Sequence, residues 1–310
     1  VKVLIFEYIT ASGEASKSLQ REGQMMLDAL LFNFAKLPNV EVKHIPPAPL
    51  QRGESQNSFL SSPPLKGKAA IAAGGCALEI DFKTQLKIVD AAWIIAPEFD
   101  GILESFCRDV ENANKILLTS PSKAVALTAN KLTTFQILHA AKIPTVPTEI
   151  FNPTKNYDVI KEWIIKPIDG VGAENTFLLT SENDWSALPL LEKNYLIQPH
   201  IHGEKTSLSC LFKNSEARLL CVNLQQFKIE NQQYVLKNIE VNHKPDDGRY
   251  QKLASQIAQA FPDLFGYVGV DLIENEDTCF VLEINPRLTT SFVGIEKALG
   301  LNVAELVLAL

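Results

Sequence analysis

Three side chains near the end of the chain could bind a divalent cation: Asp271, Glu283 and Asn285, within the stretch GYVGVDLIENEDTCFVLEINPR at positions 266–287. Two runs rich in Val, Ile, Leu and Phe flank a polar Glu-Asn-Glu-Asp-Thr cluster, the pattern of a β-hairpin. Each run carries an acid where a buried strand should be apolar. Residues two apart on a strand share a face, so Glu283 and Asn285 point the same way. Asp271 joins them only in some registers. If Glu274 pairs with Thr278 across a three-residue loop, Asp271 faces Val281 and lies diagonal to Glu283, roughly 7–8 Å away at the backbone. A two- or four-residue loop puts the acids on opposite faces. Oxygen ligands crowded on one face repel one another and lose hydration, and a hard cation, Mg2+ or Mn2+, offsets both costs. Two carboxylates and one amide are too few to cage such an ion, so its open positions fall to water and substrate phosphates. The competing reading is a salt-bridged or solvent-facing hairpin, against which stands Glu-x-Asn-Pro-Arg directly after an apolar run.

A second set could hold phosphate. In WIIKPIDGVGAENTF, positions 163–177, Lys166 ends an apolar strand, and Gly170 and Gly172 sit in the loop before the next apolar run. Glycines let a backbone close over a phosphate with its N–H groups inward, and a neighbouring lysine adds a point charge. The spacing fits neither the Walker nor the Rossmann pattern. In YLIQPHIHGEKTSLS, positions 195–209, an apolar strand breaks at Pro199 and resumes after Gly203. Such a linker between sheets can offer a bare C=O and N–H to an adenine edge, and Pro199 still serves as acceptor. His200 and His202 alternate as two metal ligands might, with no third ligand nearby in the sequence.

These groups need a scaffold. Positions 1–6 read as a buried strand, 19–37 as a helix stopped by Pro38-Asn39, and 40–44 as a second strand, a β-α-β opening that implies a parallel sheet. A small, polar loop at 10–18 follows the first strand at the edge where open α/β sheets bind ligands. Positions 46–68, rich in Pro, Ser, Gln and Gly, read as a long loop that could act as a flap. Short strands are expected at 69–73, 91–96 and 115–119, with a Gly74-Gly75-Cys76 tight turn holding a small buried thiol. Ser120-Pro121-Ser122 marks a boundary. Beyond it, helical patterning runs from Leu127 to Ala141 with Lys131 inside it, strands are expected at 208–212, 219–224 and 233–236, and helices at 248–261 and 301–310. The chain therefore divides into 1–119, 120–204 and 205–310.

Composition narrows the partners. The 310 residues are 46% hydrophobic, enough for several cores, and carry a net charge of -7 with no basic tract to follow a phosphate backbone, which argues against nucleic acid. Five scattered cysteines without Cys-x-x-Cys spacing fit reduced thiols in a cytoplasm. No run approaches membrane-spanning length.

The order of these features, a lysine on a helix (Lys131), a lysine before a Gly loop (Lys166), a hinge ending in Gly-Glu, an Asp on a strand and then Glu-x-Asn-Pro-Arg, resembles the ATP-grasp superfamily over positions 120–310. The resemblance implies an α/β chain, α+β in its ATP-binding part, with an N-terminal parallel-sheet domain. It further implies that ATP and Mg2+ bind and that Lys131 and Lys166 grip the phosphates beneath the loop of Gly170 and Gly172. Pro199 and Ile201 would read adenine, and Gln198 stands where the family usually has Glu, its amide oxygen still an acceptor. Glu204 would bind the ribose, with Lys205 as the alternative. Asp271, Glu283 and Asn285 match the metal ligands, and Arg287 the arginine facing the transferred phosphate or a substrate carboxylate. The opening EYIT with EGQMML on its helix, the stretch IIAPEFDGIL and the ending NPRLTTSFVGIEKALGL are most similar to the tyramine–glutamate ligase group of methanofuran biosynthesis. That similarity implies ligation of a small-molecule acid to an amine through an acyl phosphate, and it leaves a homodimer open.

Overall fold

The computed structural model describes residues 1–13, 16–46, 71–170, 175–189, 194–276 and 278–310, with the backbone alone for 71–77. Strand β1 (Lys2–Glu7) leads into helices α1 (Tyr8–Ser12) and α2 (Lys17–Phe34), then β2 (Glu41–His44), α3 (Ile71–Leu86), β3 (Ala91–Ile95), α4 (Ile102–Asn112) and β4 (Ile116–Leu117). These strands form a parallel sheet in the order β2-β1-β3-β4. The order reverses direction at β1, so the carboxyl ends of β1 and β3 flank the switch point where open α/β sheets bind ligands. Two buried acids stand there, Glu7 closing β1 and Glu98 just past β3.

Residues 71–73, expected as strand, and Gly74-Gly75-Cys76, expected as a turn, are helical and open α3. Each glycine costs a helix about 1 kcal/mol relative to alanine, but Phe82 and Leu86 are fully buried further along the same helix and hold it against the sheet. The stretch expected to act as a flap lies outside the described residues beyond Pro46. The single helix expected around Lys131 is two, α5 (Ser122–Ala129) and α6 (Lys131–Ala140), because Asn130 is extended and its side chain accepts from the Leu132 and Thr133 N–H groups at 3.0 Å. This cap makes Lys131 the first residue of a helix.

The rest is one nine-stranded antiparallel sheet flanked by helices. Its strands are β5 (Glu149–Ile150), β6 (Trp163–Pro167), β7 (Phe177–Leu179), β8 (Tyr195–Pro199), β9 (Glu204–Lys213), β10 (Glu216–Glu230), β11 (Gln233–Lys244), β12 (Gly266–Glu274) and β13 (Cys279–Asn285). They lie in the order β13-β12-β9-β10-β11-β7-β6-β8-β5. A short helix, α7 (Glu182–Ser186), follows β7, α8 (Arg249–Ala260) follows β11, and α9 (Phe292–Leu299) and α10 (Val303–Leu308) close the chain. Strands β11 and β7 meet through one residue pair, Gln233 with Phe177, so the sheet has a narrow seam between two halves. No described helix is long and apolar enough to cross a membrane.

One core ties the parallel sheet to the long one. Val3, Ile5 and Trp93 of the first sheet pack with Leu27, Leu30 and Phe34 of α2, and with Leu211, Tyr267, Phe292 and Ile295 of the second half of the chain. Burying each such side chain contributes about 1.5–3 kcal/mol, so this shared core holds the two sheets together. The turn between β8 and β9 is tight at Gly203, where an added Cβ would run into the Glu274 carbonyl and lie 3.2 Å from the Ile273 side chain. Strand β12 cannot retreat, because it is paired with β9 along its whole length. Gly203→Ala should therefore lower the melting temperature, at a cost on the order of 1–3 kcal/mol, and an unchanged transition in calorimetry would show that this turn has slack.

Candidate active site

The hairpin carrying the acids differs from the expected one. Glu274 pairs with Cys279, and the four-residue loop between them is closed by Asn275 N–H to the Thr278 carbonyl at 3.1 Å and Thr278 N–H to Asn275 Oδ1 at 2.9 Å. In a regular hairpin this register would send Asp271 and Glu283 to opposite faces. A β-bulge reverses that outcome: Leu272 pairs with Val281, but Asp271 pairs with Glu283, leaving Leu282 as the extra residue. Val281 and Ile284 are both buried in the core shared with α5, α6 and α8, which residues three apart on a strand can share only if one is inserted between them. Leu282 and Glu283 then both line a cavity on the other side of the sheet.

Around this rung the charges are tightly paired. Asp271 accepts from Asn285 Nδ2 at 3.0 Å and from Gln225 Nε2 at 2.9 Å. Burial, with Glu283 adding like-charge repulsion, pushes the Asp271 carboxyl up to about 7. Burial acts on Glu283 too, but the charges of Lys131 and Lys166 outweigh it and hold Glu283 at about 2. Lys131 Nζ lies 3.1 Å from Glu283 Oε2 and donates to the Gly170 carbonyl at 2.5 Å. Its own N–H donates to the Ile168 carbonyl at 3.0 Å, so the start of α6 and the glycine loop are fastened together. Lys166 is buried at the end of β6, and burial brings its ammonium down to about 8 against the pull of Glu283. Arg287 reaches the other sheet: Nε donates to Glu98 Oε1 at 2.8 Å, Nη2 lies 2.8 Å from Glu98 Oε2, and Nη1 donates to the Leu288 carbonyl at 3.0 Å.

These groups line one cavity of about 220 Å³ together with apolar walls from Val146, Ile164, Leu236 and Ile273. Lys131, Lys166, Gly170, Gln198, Pro199, Ile201, Asp271, Glu283, Asn285 and Arg287 all meet there. Gly172 lies outside the described residues. Gln198 donates through Nε2 to Thr148 Oγ1 at 2.6 Å, which leaves its Oε1 as the acceptor. Past it, the His200 N–H is bound to the Glu162 carbonyl at 2.9 Å, while the Ile201 N–H has no partner among the described residues. Glu204 does not line the cavity; it pairs outside with Lys244 at 2.6 Å. Lys205, on the opposite face of β9, lines it instead and stacks its ammonium 4.6 Å from the Tyr234 ring centre.

Several lining residues escape sequence reading. Glu22 of α2 enters the cavity and accepts from Thr290 Oγ1 at 3.2 Å. Gln225 and Tyr234 arrive from β10 and β11. Glu22 opens the EGQMML stretch, which carries the resemblance without assigning the acid a role, while Gln225 and Tyr234 stand in no motif and are signalled only by a polar residue alternating onto the inner face of a strand.

A family model described as an ATP-grasp domain matches residues 128–291, the stretch that holds nearly all of these groups. The chain belongs to the ATP-grasp family. A second model, a pre-ATP-grasp domain, matches residues 56–125 of this ATP-grasp protein. It is 30% identical over 309 residues to tyramine–L-glutamate ligase of Methanocaldococcus jannaschii, covering 99% of this chain and 88% of that protein. Identity to the tyramine–L-glutamate ligase of Methanocaldococcus fervens is 27%, covering 95% and 89%. Among solved structures, an ATP-grasp superfamily protein of Archaeoglobus fulgidus aligns with a TM-score of 0.68 at 23% identity, covering all of this chain and 88% of that one. D-alanine–D-alanine ligase of Bacillus anthracis aligns with a TM-score of 0.68 at 14% identity, covering 100% and 96%, a likeness of fold alone. With ligases as its full-length relatives, this ATP-grasp protein is an ATP-dependent carboxylate–amine ligase that acts on small molecules.

The raised Asp271 carboxyl fixes the sign of a stability effect. Between its ordinary value near 4 and about 7 the native state binds a proton that the unfolded chain has lost, so stability falls as pH rises through that window. Above it the full cost of a buried charge remains. Asp271→Asn should therefore raise the melting temperature of the ligand-free protein at pH 8, with the gain shrinking as pH falls below 7. A ligand-free melting temperature that drops at pH 8 would mean the carboxylate is not under strain.

Proposed function

We propose that this ligase joins a carboxylate of glutamate to tyramine or a closely related amine, through a glutamyl phosphate, with ADP and phosphate released. The observation that carries the proposal is similarity along the whole chain, including the N-terminal part that contributes Glu22 and Glu98, to two tyramine–L-glutamate ligases.

The residues fit such chemistry. Asp271, Glu283 and Asn285 offer only oxygen donors, and the strain on Asp271 is what a hard cation would relieve, so Mg2+ or Mn2+ suits the rung. Bound there, the ion would neutralise phosphate oxygens and tie them to the sheet. Lys131 and Lys166 supply positive charge to the phosphates under the Gly170 loop, and Gln198, Pro199 and Ile201 offer acceptors and an N–H to adenine. Lys205, and not Glu204, is the polar group on that wall for a ribose hydroxyl. The acid's carboxylate oxygen attacks the terminal phosphorus and ADP leaves; the amine nitrogen then attacks the acyl carbon, phosphate leaves, and the amine gives up a proton. Arg287, gripped along one edge by Glu98, keeps an outer edge for the oxygens on which charge develops. Glu22, with Thr290 beside it, is a carboxylate suited to a substrate ammonium.

ADP release should require glutamate and tyramine together, or hydroxylamine in place of the amine should trap a hydroxamate, with the amide identified by mass. In the same assay Glu22→Gln should raise KM for an ammonium-bearing substrate and leave KM for ATP unchanged. Turnover of ATP indifferent to every acid sinks the proposal, and tight ATP binding without turnover for any pair points to a nucleotide-binding protein without catalysis. A second kinetic outcome concerns the guanidinium. Arg287→Lys should lower kcat and kcat/KM together, on the order of 10²–10³-fold, with KM for the acid kept. Glu98→Gln should lower them less, in the same direction. A rise in KM for glutamate alone would instead make Arg287 an anchor for the substrate carboxylate.

A further inference from the structure

A separate cluster of titratable groups sits at the rim of the cavity. Glu162 immediately precedes β6, and His200 and His202 follow β8; because Trp163 pairs with Pro199, the two strand ends coincide. Backbone already joins them, His200 N–H to the Glu162 carbonyl at 2.9 Å. The side chains converge as well: His200 Nδ1 is 2.6 Å and His202 Nε2 2.8 Å from the same oxygen, Glu162 Oε2, and the ligand atoms all lie within 4.8 Å of one another. The other nitrogen of His200 is 3.0 Å from the Tyr234 hydroxyl.

We propose that Glu162, His200 and His202 form a second cation site, built for a borderline divalent ion such as Zn2+ and distinct from the oxygen-only rung of Asp271. Two imidazoles and one carboxylate, with a fourth position open to water, are a donor set that suits Zn2+ and disfavours Mg2+. Metal–ligand bonds near 2.1 Å in a tetrahedron separate neighbouring ligand atoms by about 3.4 Å. The two contacts to Glu162 lie inside that spacing and the set as a whole spans up to 4.8 Å, so the ligands rearrange by somewhat under to somewhat over about 1 Å, which His202, 78% exposed, is free to do. Tyr234 plays the outer partner that fixes the ring and tautomer of a ligating histidine. His200 also lines the nucleotide cavity, so an ion on it ties β6 to the segment that faces adenine. Cation and nucleotide are then linked, each changing the other's affinity by the same factor.

The test is Zn2+ competition with a chromogenic chelator on the full chain, in millimolar Mg2+ and without nucleotide. One equivalent should bind, and Co2+ in its place should give the visible absorption of a four-coordinate ion. His202→Ala and Glu162→Gln should lose that equivalent while melting as the parent does, Tyr234→Phe should weaken it about tenfold, and Asp271→Asn should keep it. The proposal is overturned if the parent binds no Zn2+ below millimolar, if His202→Ala binds it equally well, or if only Asp271→Asn loses it.

Discussion

Asp271 and Glu283 face each other across one rung of a β-hairpin, half-buried in the cavity wall, and the surrounding structure is arranged to make that tolerable. Like charges about 4 Å apart cost about 4 kcal/mol even at an effective dielectric of 20. Lys131 and Lys166 answer Glu283, while Asp271 has only amide donors from Gln225 and Asn285, so the imbalance is concentrated on a single carboxylate. Arg287 is balanced separately by Glu98. The cavity therefore holds Lys131 and Arg287 already paired with carboxylates, while Asp271 has no ion pair of its own among the described residues.

Placing those groups takes both sheets. Asn130 caps α6 so that Lys131 starts the helix beside the glycine loop, and the bulge at Leu282 turns two successive side chains into the cavity without unseating Val281 or Ile284 from the core. The narrow seam between β11 and β7 lets the two halves of the long sheet stand on either side of the cavity. From the other direction, the switch point of the parallel sheet contributes Glu98, and Glu7 lies close enough for Arg287 to feel its charge while it caps α1 through the Ile9 and Thr10 N–H groups.

Much of this was legible in the chain. Period-two spacing puts Glu283 and Asn285 on one face, the break at Pro199 matches the end of β8, and the apolar runs mark most strands of both sheets, though not β5, whose two residues are exposed. The bulge was not legible, because its cause is the demand of a distant core for Val281 and Ile284 together. The start of the helix at 71–86 has the local pattern of a strand and a glycine turn, because its buried anchors, Phe82 and Leu86, lie further along the chain. Glu204 was favoured over Lys205 although strand alternation alone leaves both open; only the fold says which face of β9 meets the cavity. Glu22 and Glu98 lie in stretches that carry the family resemblance but gain a role only from what lies across from them, and Glu162 stands in no such stretch.

The clasp between Glu98 and Arg287 has a bearing on how such enzymes can be recombined. Half of this ion pair belongs to the first sheet and half to the hairpin sheet, and both partners are buried. A chimaera that exchanged the first sheet for one from another ligase, in order to import a new substrate preference, would strand a guanidinium unless the donor carried an acid at the matching place. Substrate choice and catalytic competence are thus inherited together, and a library that shuffles the two halves has to keep this residue pair in phase.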